Sequence, residues 1–233
     1  MSRMLPLIAL AVVVGAGGAW YMSQPGPTAT LIPPLLAQDA GTTEDTGTTE
    51  MDPAAMILPD IVLGDANAPV TFIEYASYTC PHCGNFHADQ FKKLKAEYID
   101  TGKVKFIHRE VYFDKFGLWG GLLAQCGGEM RYYGISGMLY DQQKEWIGSG
   151  DPAEIVDNLV TLGKVAGLSE DEARACMEFD GNEMVNKLVG TFQHYAEADG
   201  INATPTLVID GEKHSNMAYA DLKAIIEARL AAQ

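Results

Sequence analysis

Cys80-Pro81-His82-Cys83 carries the most specific chemistry in the chain. Two cysteines with two residues between them can close a small disulfide ring, and such a ring is redox-active when one sulfur is a stabilised thiolate. The preceding run Val70 to Ser77, Val-Thr-Phe-Ile-Glu-Tyr-Ala-Ser, is apolar, aromatic and β-branched and reads as a buried strand. The motif therefore falls where a strand ends and a helix opens. Cys80 becomes the helix N-cap and Pro81 the first helical residue, where its missing N–H is no loss. Unpaired N–H groups and the positive end of the helix dipole then face the Cys80 sulfur and favour its anion. An imidazolium at His82, inside the loop, adds to that field. Cys83, one turn into the helix, is expected to be more buried and less acidic. Whatever stabilises the thiolate stabilises the reduced form, so this disulfide is expected to be a strong oxidant; about 30 mV corresponds to 1.4 kcal/mol.

A zinc site competes for the same residues, since His87 extends the motif to C-x2-C-x3-H. Beyond this segment the chain has no second C-x-x-C and no H-x3–5-H, so thiol redox chemistry is favoured and no metal is expected. A purely structural short-loop disulfide is the other bland alternative. Cys126 and Cys176, fifty residues apart, are the remaining thiols. In an exported protein leftover cysteines usually pair, which favours a structural bridge over two reduced core cysteines or a second redox relay. His108 sits mid-strand in Val104 to Val111 and reads as surface or hydrogen-bonded rather than functional.

The elements that position this chemistry emerge from periodicity. After the strand at Val70 to Ser77, a helix from about Pro81 to Tyr98 places His87, Phe91, Leu94 and Tyr98 on one face. Thr101-Gly102 breaks it, and Val104 to Val111 is a second strand, giving a βαβ unit with a parallel pair and a right-handed crossover. From about residue 117 to 200 the period is helical, with start signals at Asp151-Pro152 and at Ser169, whose capping box closes on Glu172. A further helix spans about Asn182 to Glu197. Trp119, Met130, Tyr132, Tyr133, Met138 and Tyr140 are expected mostly in the core of this helical segment. Strand character returns at Thr206 to Ile209, Asp210-Gly211 is a hairpin turn, Glu212 to Ser215 pairs back, and a helix from Tyr219 to Leu230 closes the chain. The fold class is α/β, an α/β sheet domain interrupted by a helical subdomain.

The first 56 residues are of another kind. Met4 to Met22 is an uncharged 19-residue stretch, close to the ~20 residues of a membrane span and long for a signal-peptide core. Residues 1–22 are thus a signal peptide or a membrane anchor, and either one exports the remainder of the chain. Residues 23–56, proline-rich and then acidic, read as a disordered tether, and residues 57–233 as the folded domain. Composition places the protein among ordinary globular ones, with 47% hydrophobic and 20% charged residues. A net charge of −15 argues against a phosphate backbone as ligand, so no nucleic-acid partner is expected.

Residues Val70 to His87, with Ala203-Thr204-Pro205-Thr206 before the Leu-Val-Ile-Asp-Gly strand and turn, resemble the DsbA family of periplasmic thiol:disulfide oxidoreductases. The resemblance covers about Leu58 to the C-terminus. It implies a thioredoxin-like fold with an inserted helical subdomain and no cofactor. It further implies newly exported cysteine-containing proteins as substrates and a DsbB-like membrane quinone reductase as the source of reoxidation. Carried over residue by residue, Cys80 is the exposed nucleophile, Cys83 the resolving cysteine and Pro205 a cis-proline beside the active site. The alternative for Pro205 is an ordinary trans proline at the start of an edge strand. Glu74 matches the position of the family's buried acidic residue, where desolvation would raise its pKa and let it exchange a proton with Cys83. Thr204 departs from the oxidase pattern, which has Val before the proline, and keeps open a reductase or isomerase. A non-catalytic metal-binding or adaptor module is the remaining alternative.

Overall fold

Phe72 and Phe106, fully buried and stacked with ring centroids 5.8 Å apart, join the two central strands that carry the site. The computed structural model describes residues 56–233. The export or anchor segment (1–22) and nearly all of the tether (23–56) lie outside the described residues. Among the described residues no helix is long and apolar enough to cross a membrane.

Five strands form one sheet. In chain order they are β1 (Val62–Leu63), β2 (Val70–Ala76), β3 (Val104–Glu110), β4 (Thr206–Ile209) and β5 (Glu212–Ser215), and their spatial order is β1-β3-β2-β4-β5. Strands β2 and β3 are parallel, and β4 and β5 add antiparallel on the β2 side. The expected βαβ unit and the closing hairpin are therefore present. The Asp210-Gly211 turn has positive φ at both residues, 47° and 83°, which is why Asp-Gly suits it. The two-residue β1, antiparallel to β3, has no counterpart among the expected strands; two residues are too short to show a period of two.

The helix after β2, α1, begins as Pro81–Phe86 and runs on to Ile99 through two wide π-type turns, His87–Phe91 and Lys95–Ile99. Its apolar side packs on the sheet through Phe86, Leu94 and Tyr98. Six helices separate β3 from β4: α2 (Lys115–Cys126), α3 (Glu129–Asp141), α4 (Gln143–Ile147), α5 (Pro152–Val165), α6 (Glu170–Cys176) and α7 (Glu183–Ala198). A final helix, α8 (Tyr219–Ala231), covers the sheet with Leu222 and Ile226. The caps are the expected ones. Asp151 accepts from the N–H groups of Ala153 and Glu154, and Ser169 and Glu172 form the capping box. Met130 departs from expectation: it is fully exposed at the start of α3, while Tyr132 and Tyr140 of the same helix are buried.

Cys126 and Cys176 end α2 and α6 and are disulfide-bonded, with Cα atoms 6.0 Å apart. A bridge closing a loop of fifty residues is worth about 2–4 kcal/mol. The Cys126→Ala/Cys176→Ala variant should melt about 5–12 °C lower by calorimetry while keeping the reactivity of Cys80. A double variant that melts with the wild type would show that the bridge adds no stability.

Candidate active site

Cys80 is the N-cap of α1, with φ −79° and ψ 117°, and Pro81 is the first helical residue. The Cys80 carbonyl accepts from the N–H groups of Cys83 and Gly84, both at 3.1 Å. The sulfur is half-buried and that of Cys83 fully buried; both are free thiols. The two differ sharply in acidity. A hydrogen bond from the Cys83 thiol is the main cause that pulls Cys80 from an ordinary 9.0 down to about 5. Burial opposes this, while Thr204 and the backbone N–H groups of Cys83 and His82 add to it. The same thiol–thiol hydrogen bond, with burial and the nearby charge of Glu74, pushes the Cys83 thiol far above its ordinary value. His82 contributes through its backbone N–H, and its side chain is exposed to solvent.

Two distant segments complete the surroundings of Cys80. The Thr204-Pro205 peptide bond is cis, and the Thr204 carbonyl lies 3.5 Å from Cys80 Sγ. From α4, Gln143 Nε2 donates to the carbonyls of Tyr78 and Cys80 at 2.7 and 3.0 Å, pinning the loop that presents Cys80. Gly84 permits that approach, since a Cβ there would sit 2.7 Å from Gln143 Oε1. Thr79 donates to Asp114, the cap of α2, at 2.7 Å and ties the loop to the start of the helical segment.

A buried polar cluster lies beneath Cys83. Glu74 on β2 is wholly buried and its Oε2 is 2.8 Å from His87 Nε2. His87 stacks on Tyr140 with ring centroids 3.8 Å apart. In the parallel register Glu74 is opposite His108. His108 Nδ1 and Nε2 are each 2.9 Å from a tyrosine hydroxyl, Tyr132 and Tyr140 respectively, and burial holds the ring neutral. Tyr132 also donates to Glu110 at 2.7 Å, joined there by Tyr78 and Tyr112. Burial raises the Glu110 pKa against those three donors. One ligand atom each from Glu74, His87 and His108 falls within 4.8 Å of the others. Those atoms already hold hydrogen bonds to one another or to tyrosine, which suits a proton network better than a cation. His108 is thus a hydrogen-bonded core residue, and His87 bonds to Glu74.

Gln143 and Glu110 carry no sequence signal, because they come from a helix and a strand remote in the chain, and Tyr140 is legible only as a core aromatic. His87 does carry one: it is four residues after Cys83 on the same helix, hence on the same side.

A family model described as thioredoxin matches residues 58–228. A protein named as a protein-disulfide oxidoreductase from Rickettsia typhi is 28% identical over 84% of this chain and 71% of its own length. Disulfide bond formation protein D of Bacillus subtilis is 28% identical, covering 72% of this chain and 76% of that protein. Across five Rickettsia relatives the chain spans 61% to 71% of their lengths. The crystal structure of Wolbachia pipientis alpha-DsbA1 superposes with a TM-score of 0.69 at 27% identity, over 77% of this chain and 96% of that one.

Proposed function

We propose, from the premise that this chain belongs to the thioredoxin family, that it is an exported thiol:disulfide oxidoreductase that gives the Cys80–Cys83 disulfide to cysteine-containing proteins. The observation that carries this reading is the split in acidity between two adjacent thiols, one pulled to about 5 and the other pushed far up. A substrate thiolate attacks Cys80 Sγ, the Cys80–Cys83 bond breaks, and Cys83 takes the electron pair. A second substrate thiolate then attacks its partner sulfur in the mixed disulfide and releases Cys80 as a stable thiolate. The low pKa makes Cys80 the better leaving group in that step.

Pro205 and Thr204 serve the substrate: an extended chain would pair with the backbone at Thr204, alongside Cys80. Glu74 is read as the group that exchanges a proton with Cys83. Residues 1–22 export the domain to the periplasm and, if retained, anchor it to the inner membrane. Reoxidation by a DsbB-like membrane quinone reductase completes the cycle.

Thr204 beside the sulfur favours a second reading, a reductase or isomerase of the same compartment. Equilibration with glutathione separates the two. The expected potential is less negative than about −200 mV, whereas a value below about −250 mV, as in thioredoxin, would overturn the oxidase direction.

A further inference from the structure

Three consecutive residues bring the nucleophilic sulfur to the head of α1, and the inserted helices hold each of them. Thr79 donates to Asp114 at the start of α2, and the Tyr78 hydroxyl lies 3.1 Å from that of Ser136 on α3. The Tyr78 and Cys80 carbonyls both accept from one amide, Gln143 Nε2 of α4, at 2.7 and 3.0 Å. Carbonyl oxygens only accept, so the NH2 side of the amide must face them, and Oε1 is left facing Gly84. Gln143 is buried, and its short helix is anchored by the buried Trp146, whose indole N–H donates to the Leu139 carbonyl at 2.7 Å. A donor already fixed by packing loses little freedom in holding its acceptors. What it holds matters to the sulfur. The Cys80 carbonyl sets ψ of the N-cap, 117°, and that angle decides how the first turn of α1 is aimed relative to Sγ. The N–H groups of that turn, from His82 and Cys83, are among the groups that favour the thiolate.

We propose that Gln143 is a positioning residue for disulfide exchange: by holding the carbonyls on either side of Thr79 it fixes the N-cap geometry of Cys80 and keeps the first turn of α1 aimed at the sulfur. It acts through the backbone of residues 78–80. The inference deepens the exchange chemistry proposed above and rests on it. A thiolate gains from N–H groups aimed at it, and a disulfide sulfur, which carries no charge, gains little. Loosening the N-cap therefore destabilises the reduced form more than the oxidised form and makes the disulfide a weaker oxidant. The inserted helical subdomain thus sets, through one amide, the redox poise of a dithiol that sits on the helix of the βαβ unit. Gly84 is part of the same device, because only a residue without a Cβ lets the amide lie against α1.

The test is the equilibrium of the Cys80–Cys83 pair with reduced and oxidised glutathione at pH 7, read beside the thiolate absorbance of the reduced protein from pH 3 to 9. Gln143→Met keeps the volume and removes both donors. It should shift the equilibrium about tenfold toward the disulfide, which is about 30 mV, and raise the Cys80 titration midpoint by about one pH unit. Gly84→Ala keeps the amide but sets a Cβ 2.7 Å from its Oε1, and should shift the equilibrium the same way by about threefold. Alanine is otherwise the better helix residue, so adding Gly84→Ala to Gln143→Ala, where no amide is left to displace, should shift nothing further. An equal shift from Gly84→Ala in both backgrounds would overturn the route through the amide. A Gln143→Met protein that melts lower in both redox forms alike, with the wild-type equilibrium and midpoint, would overturn the proposal, because Gln143 would then serve stability alone. Should Gln143→Met not fold, Gly84→Ala decides, and a wild-type equilibrium in that variant overturns the proposal. The potential of the wild type judges the oxidase reading by itself, whereas Gln143 is judged by the difference between wild type and variants.

Discussion

Cys80→Ala should abolish disulfide transfer, whereas Cys83→Ala should start the reaction and stall as a mixed disulfide. The asymmetry comes from where the two sulfurs sit. Cys80 is half-exposed at the head of α1 with a pKa of about 5, so about 99% of it is thiolate at pH 7. Cys83 is fully buried and its thiol is pushed far above the ordinary value, so it neither meets a protein substrate nor ionises unaided. In Cys80→Ala the remaining thiol is inert, and turnover with a reduced model peptide should fall by at least about a thousandfold. In Cys83→Ala the Cys80 thiolate still exchanges with glutathione disulfide, but nothing inside the protein displaces the partner. Turnover should fall as far, yet the adduct at Cys80 should accumulate and be visible by intact-protein mass spectrometry. If Cys83→Ala forms no adduct, or if Cys80→Ala is alkylated at Cys83 as fast as the wild type is at Cys80, the assignment of roles is wrong.

The reduced protein should be more stable than the oxidised protein at pH 7, and the difference should vanish toward pH 5. A thiolate whose folded pKa is depressed contributes stability that is fully present above the unfolded value and is lost as pH falls through the folded value. For Cys80 that window runs from 9.0 down to about 5. Two pH units above the folded value correspond to at most about 2.7 kcal/mol at pH 7. Cys80 is half-exposed, so solvent screening reduces the expected figure to about 1–2 kcal/mol, or about 3–6 °C in Tm. Cys83 has the opposite shift, and it takes stability away only where an unfolded thiol would ionise, near and above 9.0. Buried groups such as Glu110 and His108 are present in both redox forms and cancel in the difference. Calorimetry on the Cys126→Ala/Cys176→Ala background isolates the active-site pair, since no second bridge is then available to reduce. An oxidised form that melts higher at pH 7, or a gap that does not depend on pH, would contradict the thiolate as the source of oxidising power.

Most features legible before folding is considered lie within a few residues of one another along the chain; the Cys126–Cys176 bridge, fifty residues apart, is legible instead from the cysteine count. Cys80, Pro81 and Cys83 are local in this sense, because a strand that ends in an N-cap cysteine and a first-turn proline sets the sulfur at the head of a helix. The caps at Asp151 and Ser169 and the Asp210-Gly211 turn are legible for the same reason: each is settled by hydrogen bonds or backbone angles spanning three or four residues. The pairing of β2 with β3, by contrast, can be read as parallel but not in register, and it is the register that sets Glu74 opposite His108. The exposure of Met130 and the burial of Tyr140 on one helix, with Glu110 drawing in three tyrosines, depend on which faces the inserted helices present to the sheet. Thr204 lies 124 residues from Cys80 and Gln143 lies 63 from it, and both contacts exist only because packing returns those segments to the head of α1. The surroundings of Cys83 are likewise a product of packing, because a buried hydrogen bond such as Glu74–His87 is selected by the exclusion of water from a closed core, which no local pattern encodes.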